Sequence, residues 1–184
     1  MIINGVAISD IHFGGLPAKQ LYNELRKEFL IPIHKMDKLD LVVINGDLTD
    51  KKISLNDEHG RYLIKFMDDL VKICMGKGAK LRIVKGTRNH DLNQLNNFSY
   101  LETKKKLDFR IINSISEEEL YPDFKVLFIP EEYMDDQKSF YAPYLKNNYA
   151  MCFGHGTMEF QAFENQIIES EKIGRAHVWT PVTL

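Results

Sequence analysis

The sequence predicts an α/β domain with parallel strands at its centre. Two observations carry that prediction. Short apolar runs alternate with amphipathic helical stretches through the first half of the chain, in the order β-α-β-α-β, and the turns between them are short. The strand runs also end by delivering Asp, Asn or His, and such ends are where open α/β sheets gather ligands.

Residues 2–9 read as the first strand, ending beside Asp10 and His12. Residues 17–36 read as a helix: Pro17 suits a first turn, Leu21, Leu25, Phe29 and Leu30 recur at helical spacing, and Pro32 kinks or ends it. Residues 40–45 form a buried strand, and Gly46 turns the chain to leave Asp47 at its carboxyl end. Asn56 or Asp57 caps a second helix whose apolar face is Tyr62, Leu63, Phe66, Met67, Leu70 and Ile73, closed by Gly76 and Gly78. KLRIVK at 80–85 is the third strand, followed by GTRNHD. Further on, residues 94–107 are helix-compatible, and FRIINSI at 109–115 alternates as a half-buried strand. It is expected to form a hairpin with KVLFIPE at 125–131 about a turn at Tyr121–Asp123. A helix over 136–147 and a buried strand over 149–153 complete the reading, the latter running into Gly154, His155 and Gly156; residues 158–172 are left unassigned.

At 184 residues the chain is one domain or part of one, with 44% hydrophobic residues to build a core. A net charge of −2 excludes a global basic field for polyanions, although carboxylates that hold metal would be neutralised and so weaken that exclusion. Cys74 and Cys152 form no CxxC pair, which fits a reducing compartment. No basic-then-apolar leader opens the sequence and no apolar run is long enough for a bilayer, so a cytoplasmic protein with no membrane partner is expected.

The chemistry lies in a set of residues. Asp10 and His12, two apart on an extended end, would point to one side and offer an N/O pair for a transition metal. Asp47 stands at the central strand, where a carboxylate could bridge two cations. In the NHD run, Asn89 offers a neutral amide oxygen, while His90 could face substrate as a general acid oriented by Asp91. His155 lies between two glycines that permit close approach. Each has a bland reading as a cap, turn or surface residue. Four strand ends delivering such residues to one edge of a sheet instead point to a two-metal hydrolytic centre. No GxSxG elbow or Gly-rich phosphate loop competes.

DxH at 10–12, GD at 46–47, NHD at 89–91 and GH at 154–155, in that order, resemble the calcineurin-like metallophosphoesterases. GTRNHDLNQL, IPEEY and the late GHG resemble the phage and bacterial DNA repair exonucleases of the SbcD nuclease-subunit type within them. The resemblance implies a β-sandwich flanked by helices (αββα), two divalent metal ions, manganese first among them, and phosphodiester hydrolysis on DNA. It also implies an SbcC-type ATPase subunit and a homodimer as partners. By position, Asp10 and His12 would hold one metal, Asp47 would bridge, Asn89 and His155 would hold the other, and His90 would be the catalytic acid. A phosphatase or phosphodiesterase acting on small molecules or phosphoproteins, and a non-catalytic module on the same fold, remain alternatives. Two departures stand out: Arg88 replaces the usual Gly before Asn89, and the family's downstream GHxH motif is missing. The tail IGRAHVWTPVT, residues 173–183, resembles a translated sequencing adapter, with Trp179 at a read-through TGA codon. Residues 1–172 are thus expected to be a partial nuclease domain, and 173–184 a non-native tail.

Overall fold

The computed structural model describes residues 2–91, 93–132, 135–144 and 146–156, together with the backbone of three later strands. Strands β1 (Gly5–Ile8), β2 (Leu41–Asn45), β3 (Lys80–Val84) and β4 (Phe109–Ile112) form an all-parallel sheet in that order. Strands β5 (Ser116–Tyr121), β6 (Phe124–Ile129) and β7 (Met151–Gly156) form a second, mixed sheet. In it β5 and β6 are antiparallel and β6 and β7 parallel.

The helices fill the outer side of the first sheet. Helix α1 (Ala18–Leu25) widens into a π turn over Arg26–Leu30 and continues as α2 (Ile31–Lys35). Pro32 has no N–H for the carbonyl four residues earlier, which accounts for the widened geometry just before it. Helix α3 (Glu58–Lys77) is capped by Asp57, whose carboxylate accepts from the Gly60 amide at 2.8 Å, an interaction worth about 1 kcal/mol. It runs through Gly76 and stops at Gly78, whose φ of +69° closes the helix in left-handed geometry.

Strand β2 is buried along its whole length because it serves two cores. Val42 and Ile44 turn to the helices, with Phe66, Leu70 and Leu81. Leu41 and Val43 turn to the second sheet and meet Val126, Phe128 and Phe153. This period-2 division explains why a five-residue run with no polar face is a strand. The result is helices, parallel sheet and mixed sheet in successive layers.

Three expectations are corrected. The hairpin partner of β6 is not 109–115: β4 joins the parallel sheet beside β3, and the partner is the acidic segment β5. Residues 94–103 form a 3₁₀ helix. The expected helix at 136–147 is shortened to α5 (Gln137–Tyr141). Most of 158–172, Tyr133 of the IPEEY stretch and much of the tail lie outside the described residues. Strands β8 (Ala162–Phe163), β9 (Gln166–Ile167) and β10 (Arg175–Trp179) are seen as backbone, with β10 pairing antiparallel to β7.

Candidate metal centre

The loops after β1 and β2 run side by side. Amide-to-carbonyl bonds lace Asp10 to Gly46 (3.2 Å), His12 to Asp47 (3.0 Å), Phe13 to Leu48 (3.0 Å) and Asp50 back to Phe13 (2.9 Å). Phe13 and Leu48, both fully buried, anchor the laced pair in the helix-side core. Asp10, His12 and Asp47 have φ of 54°, 55° and 51°, so three of the five described non-glycine residues in the left-handed region are candidate ligands. Such backbone costs on the order of 1–3 kcal/mol per residue and concentrates at functional sites. It also corrects the expectation of an extended Asp10–His12 pair: the two side chains are brought together by curled loops.

Asp47 forms the floor. Its side chain is 2% exposed, against 28% for Asp10, 30% for His12 and 33% for His90, which make a solvent-facing rim. The Thr87 amide donates to Oδ1 at 2.6 Å and the Thr87 hydroxyl to Oδ2 at 3.2 Å. His90 Nδ1 lies 2.8 Å from Oδ2. Burial alone would push this carboxyl up; His155 and His90 outweigh it and hold Asp47 well below the ordinary carboxylate range. Two glycines make the room. A Cβ on Gly86 would fall 2.1 Å from the Asp47 amide nitrogen, and one on Gly46 would fall 2.1 Å from His155 Nδ1.

His155 arrives from the other sheet, so the four strand ends do not share one sheet edge as expected. Its Nδ1 donates to the Asn45 carbonyl at 2.8 Å, and the Asn45 side-chain amide donates to the Gly154 carbonyl at 2.8 Å. This reciprocal pair staples β2 to β7. With Nδ1 donating, Nε2 carries the lone pair of the neutral ring. It is buried, 3.3 Å from Asp47 Oδ1, and has no hydrogen-bond partner. Burial pushes the His155 pKa down, but the Asp47 carboxylate overrides it and raises it.

Asp10, His12 and Asp47 offer donor atoms all within 4.8 Å of one another. His12 Nε2 stands 3.9 Å from Asp10 Oδ1 and 3.9 Å from Asp47 Oδ2. These gaps exceed hydrogen bonds, yet suit ligands that share a cation bonded at about 2.0–2.2 Å to each. An orphaned His155 Nε2 aimed at the same carboxylate completes a mixed N/O set, so the residues fit a divalent metal centre.

The remaining expected residues divide. His90 joins the cluster, and Asn89, in the same short helix α4 (Arg88–Asp91), is exposed beside it. Asp91 does not turn to His90. It is buried, accepts from the amides of Gly86 (2.8 Å) and Thr49 (3.1 Å), and so ties the third loop to the second. Burial raises its pKa. Asp50 was missed: with His12 and His90 it forms a second group of donors within 4.8 Å. It is the last residue of the same GDLTD run, which was the available signal. Thr87 and Asn45 were missed as well, since their roles depend on contacts between distant segments.

Comparison with protein-family models matches residues 6–177 to the calcineurin-like phosphoesterase family. A search of curated proteins finds no match.

Proposed function

From the chain's membership of the calcineurin-like phosphoesterase family, metal-dependent hydrolases of phosphoester bonds, we propose that its substrate is DNA and its activity that of an SbcD-type exonuclease. The observation that carries the reading is the convergence of Asp10, His12 and His155 from two sheets on the buried Asp47, with Asp10 and His12 open to solvent. The substrate class rests on the GTRNHDLNQL, IPEEY and GHG stretches, which resemble that exonuclease branch.

Asp10 and His12 would hold one divalent ion, Asn89 and His155 a second, with Asp47 between them and manganese the favoured metal. Bound ions supply charge for the phosphoryl oxygens and bring a water's pKa towards neutrality. The chain's own contribution is orientation. Thr87 and His90 fix the Asp47 carboxylate, and Asn45 fixes the His155 ring. With Nδ1 held on Asp47, the His90 ring would act as the general acid in its imidazolium form, giving the Nε2 proton to the leaving oxygen. An SbcC-type ATPase subunit and a second copy of the chain are the partners this reading brings with it.

The test is hydrolysis by the purified protein with Mn²⁺, comparing end-labelled linear DNA, closed circular DNA and bis(p-nitrophenyl) phosphate, each with and without EDTA. Nucleotide release from linear DNA that EDTA abolishes is the expected result. Hydrolysis of the aryl diester with both DNA forms intact would overturn the DNA reading in favour of a small-molecule phosphodiesterase. Turnover of none of the three would favour a non-catalytic module.

A further inference from the structure

We propose that Asp50 is a positioning residue of the metal centre: its carboxylate holds the His12 ring in the tautomer protonated on Nδ1, so that Nε2 presents its lone pair between Asp10 and Asp47. None of the roles drawn from the family resemblance falls on Asp50.

Three observations converge on it. The first is the geometry of the ring. His12 Nε2 points at Asp10 and Asp47, each 3.9 Å away, while Nδ1 on its opposite side faces Asp50 Oδ1 at 3.5 Å. Although the ring is about a third exposed, the Nδ1 atom itself is buried and lacks a hydrogen-bond partner. A donor hidden from water needs an acceptor, and Asp50 closes to bonding distance by a shift of a few tenths of an ångström. The arrangement is carboxylate, imidazole and metal position in a row, the usual way a ligating ring is held and made more basic.

The second observation is the space made for the carboxylate. A Cβ on Gly15 would sit 3.3 Å from Asp50 Cγ, 3.4 Å from its Oδ1 and 3.3 Å from the His12 carbonyl oxygen. A side chain there would crowd both partners, so the double glycine after Phe13 has a local reason beyond the turn itself, where Gly14 adopts φ +107°.

The third concerns what places Asp50. Its amide is bonded to the Phe13 carbonyl, and Phe13 and Thr49 form a parallel bridge. The backbone is therefore held by the laced loops and not by the Asp50 carboxylate, which is 34% exposed. The side chain is dispensable for the loop and available for the ring. His90 is the competing target, being in the same donor group, but its Nδ1 already meets Asp47 at 2.8 Å.

The tautomer part of this inference stands on the metal-free protein; only the affinity part rests on the hydrolase reading. The experiment is nitrogen-15 NMR of ring-labelled histidines in the full metal-free chain, followed by calorimetric titration with Mn²⁺. The wild type should show His12 protonated on Nδ1. Asp50→Ala should move His12 to the Nε2–H form or a mixture and weaken Mn²⁺ binding about 10–100-fold. Asp50→Asn, which keeps an accepting oxygen, should retain the tautomer and bind within about threefold of wild type. The metal-free melting temperature of both variants should stay within about 2 °C of wild type. A wild-type His12 protonated on Nε2 overturns the proposal without need of any variant. So does an Asp50→Ala protein with unchanged tautomer, an Asp50→Asn protein no better than Asp50→Ala, or a response confined to His90. A wild type with the expected tautomer that fails to bind Mn²⁺ sinks the metal reading and leaves the role of Asp50 on the ring supported.

Discussion

Arg82 and Asp47 are both buried charges on neighbouring parallel strands or their ends, and the fold treats them in opposite ways. Every Arg82 donor is satisfied: Nε and one Nη2 proton go to Glu118 (2.8 and 2.5 Å), the other Nη2 proton to Asp108 (2.8 Å), and Nη1 to the carbonyls of Leu81 and Asp108 (3.0 Å each). Its five donors have five acceptors, and one of its carboxylates comes from β5 in the facing sheet. Around Asp47 the count does not close. His155 Nε2, His12 Nδ1 and Asn45 Oδ1 are buried without hydrogen-bond partners, and the backbone beneath them is left-handed. A saturated cluster is a clamp. A cluster with a buried, orphaned ring nitrogen, His155 Nε2, aimed at a shared carboxylate among strained loops is a place kept ready for a ligand.

The strongest way to break that contrast is to make the two sites respond alike. Asp47→Asn should lower Mn²⁺-dependent hydrolysis about 10³-fold or more, equivalent to about 4 kcal/mol of transition-state stabilisation. It should also lower the denaturant midpoint of the metal-free protein at neutral pH, since the charge that His155 and His90 stabilise is lost, but by far less than the loss in activity, because an amide can still meet Thr87. Steady-state kinetics beside urea unfolding checks both halves. A collapse in stability matching the loss in activity would make Asp47 a clamp like Arg82.

Arg82→Ala should do the reverse. It leaves the half-buried Glu118 with only the more distant Arg110, at 3.8 Å, as counter-charge and should cost about 3 kcal/mol in urea unfolding, with Mn²⁺ affinity within about threefold of wild type. The double variant Arg82→Met with Glu118→Leu should regain most of that loss, because a packed apolar pair replaces the ion pair without an uncompensated charge. A single variant that weakens metal binding as strongly as it destabilises the fold would show that the clamp and the metal centre are one unit.

The same contrast explains what the sequence could reveal. The parallel sheet and its helices were legible because burial imposes a period: β2 reads as an unbroken apolar run, and α3 carries an apolar stripe between an Asp57 cap and a Gly78 stop. Strand β5 was not legible, since SEEELY has three consecutive glutamates and no strand-like composition. Its pairing with β6 and the Arg82 contact to Glu118, 36 residues away, make it a strand. At the metal centre the residue types at strand ends were readable, but their meeting place was not. Asp10 and His12 were expected to converge through extended backbone, and they converge through left-handed loops. His155 was expected on the same sheet edge as Asp47, and it crosses from the second sheet by way of Asn45. Asp50 was hidden in plain sight, because nothing in GDLTD says that the second carboxylate turns to His12.

pH gives the smallest effect and the finest discrimination between the clusters. In the metal-free protein His155 is raised above its ordinary 6.5: burial opposes the shift, but the neighbouring Asp47 outweighs it. Its contribution to stability is therefore complete below pH 6.5 and is lost as pH rises through the raised folded value. Asp47 is depressed below its ordinary 3.8, so its contribution is complete above that pH and is lost only as pH falls through the depressed value. Asp108, beside Arg82, is also depressed: burial opposes the shift, and Lys80 and Arg82 override it, so its contribution too is lost only in acid. Of these two clusters, it is therefore the metal centre that should lose stability as pH rises through the neutral range. Urea midpoints of the metal-free protein should decline as pH rises above 6.5, and His155→Gln should flatten that decline while Arg82→Met leaves it in place. Saturating Mn²⁺ should reverse its sign, because a ligating imidazole must be neutral and binding tightens as the proton leaves. A decline that persists in His155→Gln would place the titrating group elsewhere and remove the electrostatic link drawn between β7 and the β2 loop.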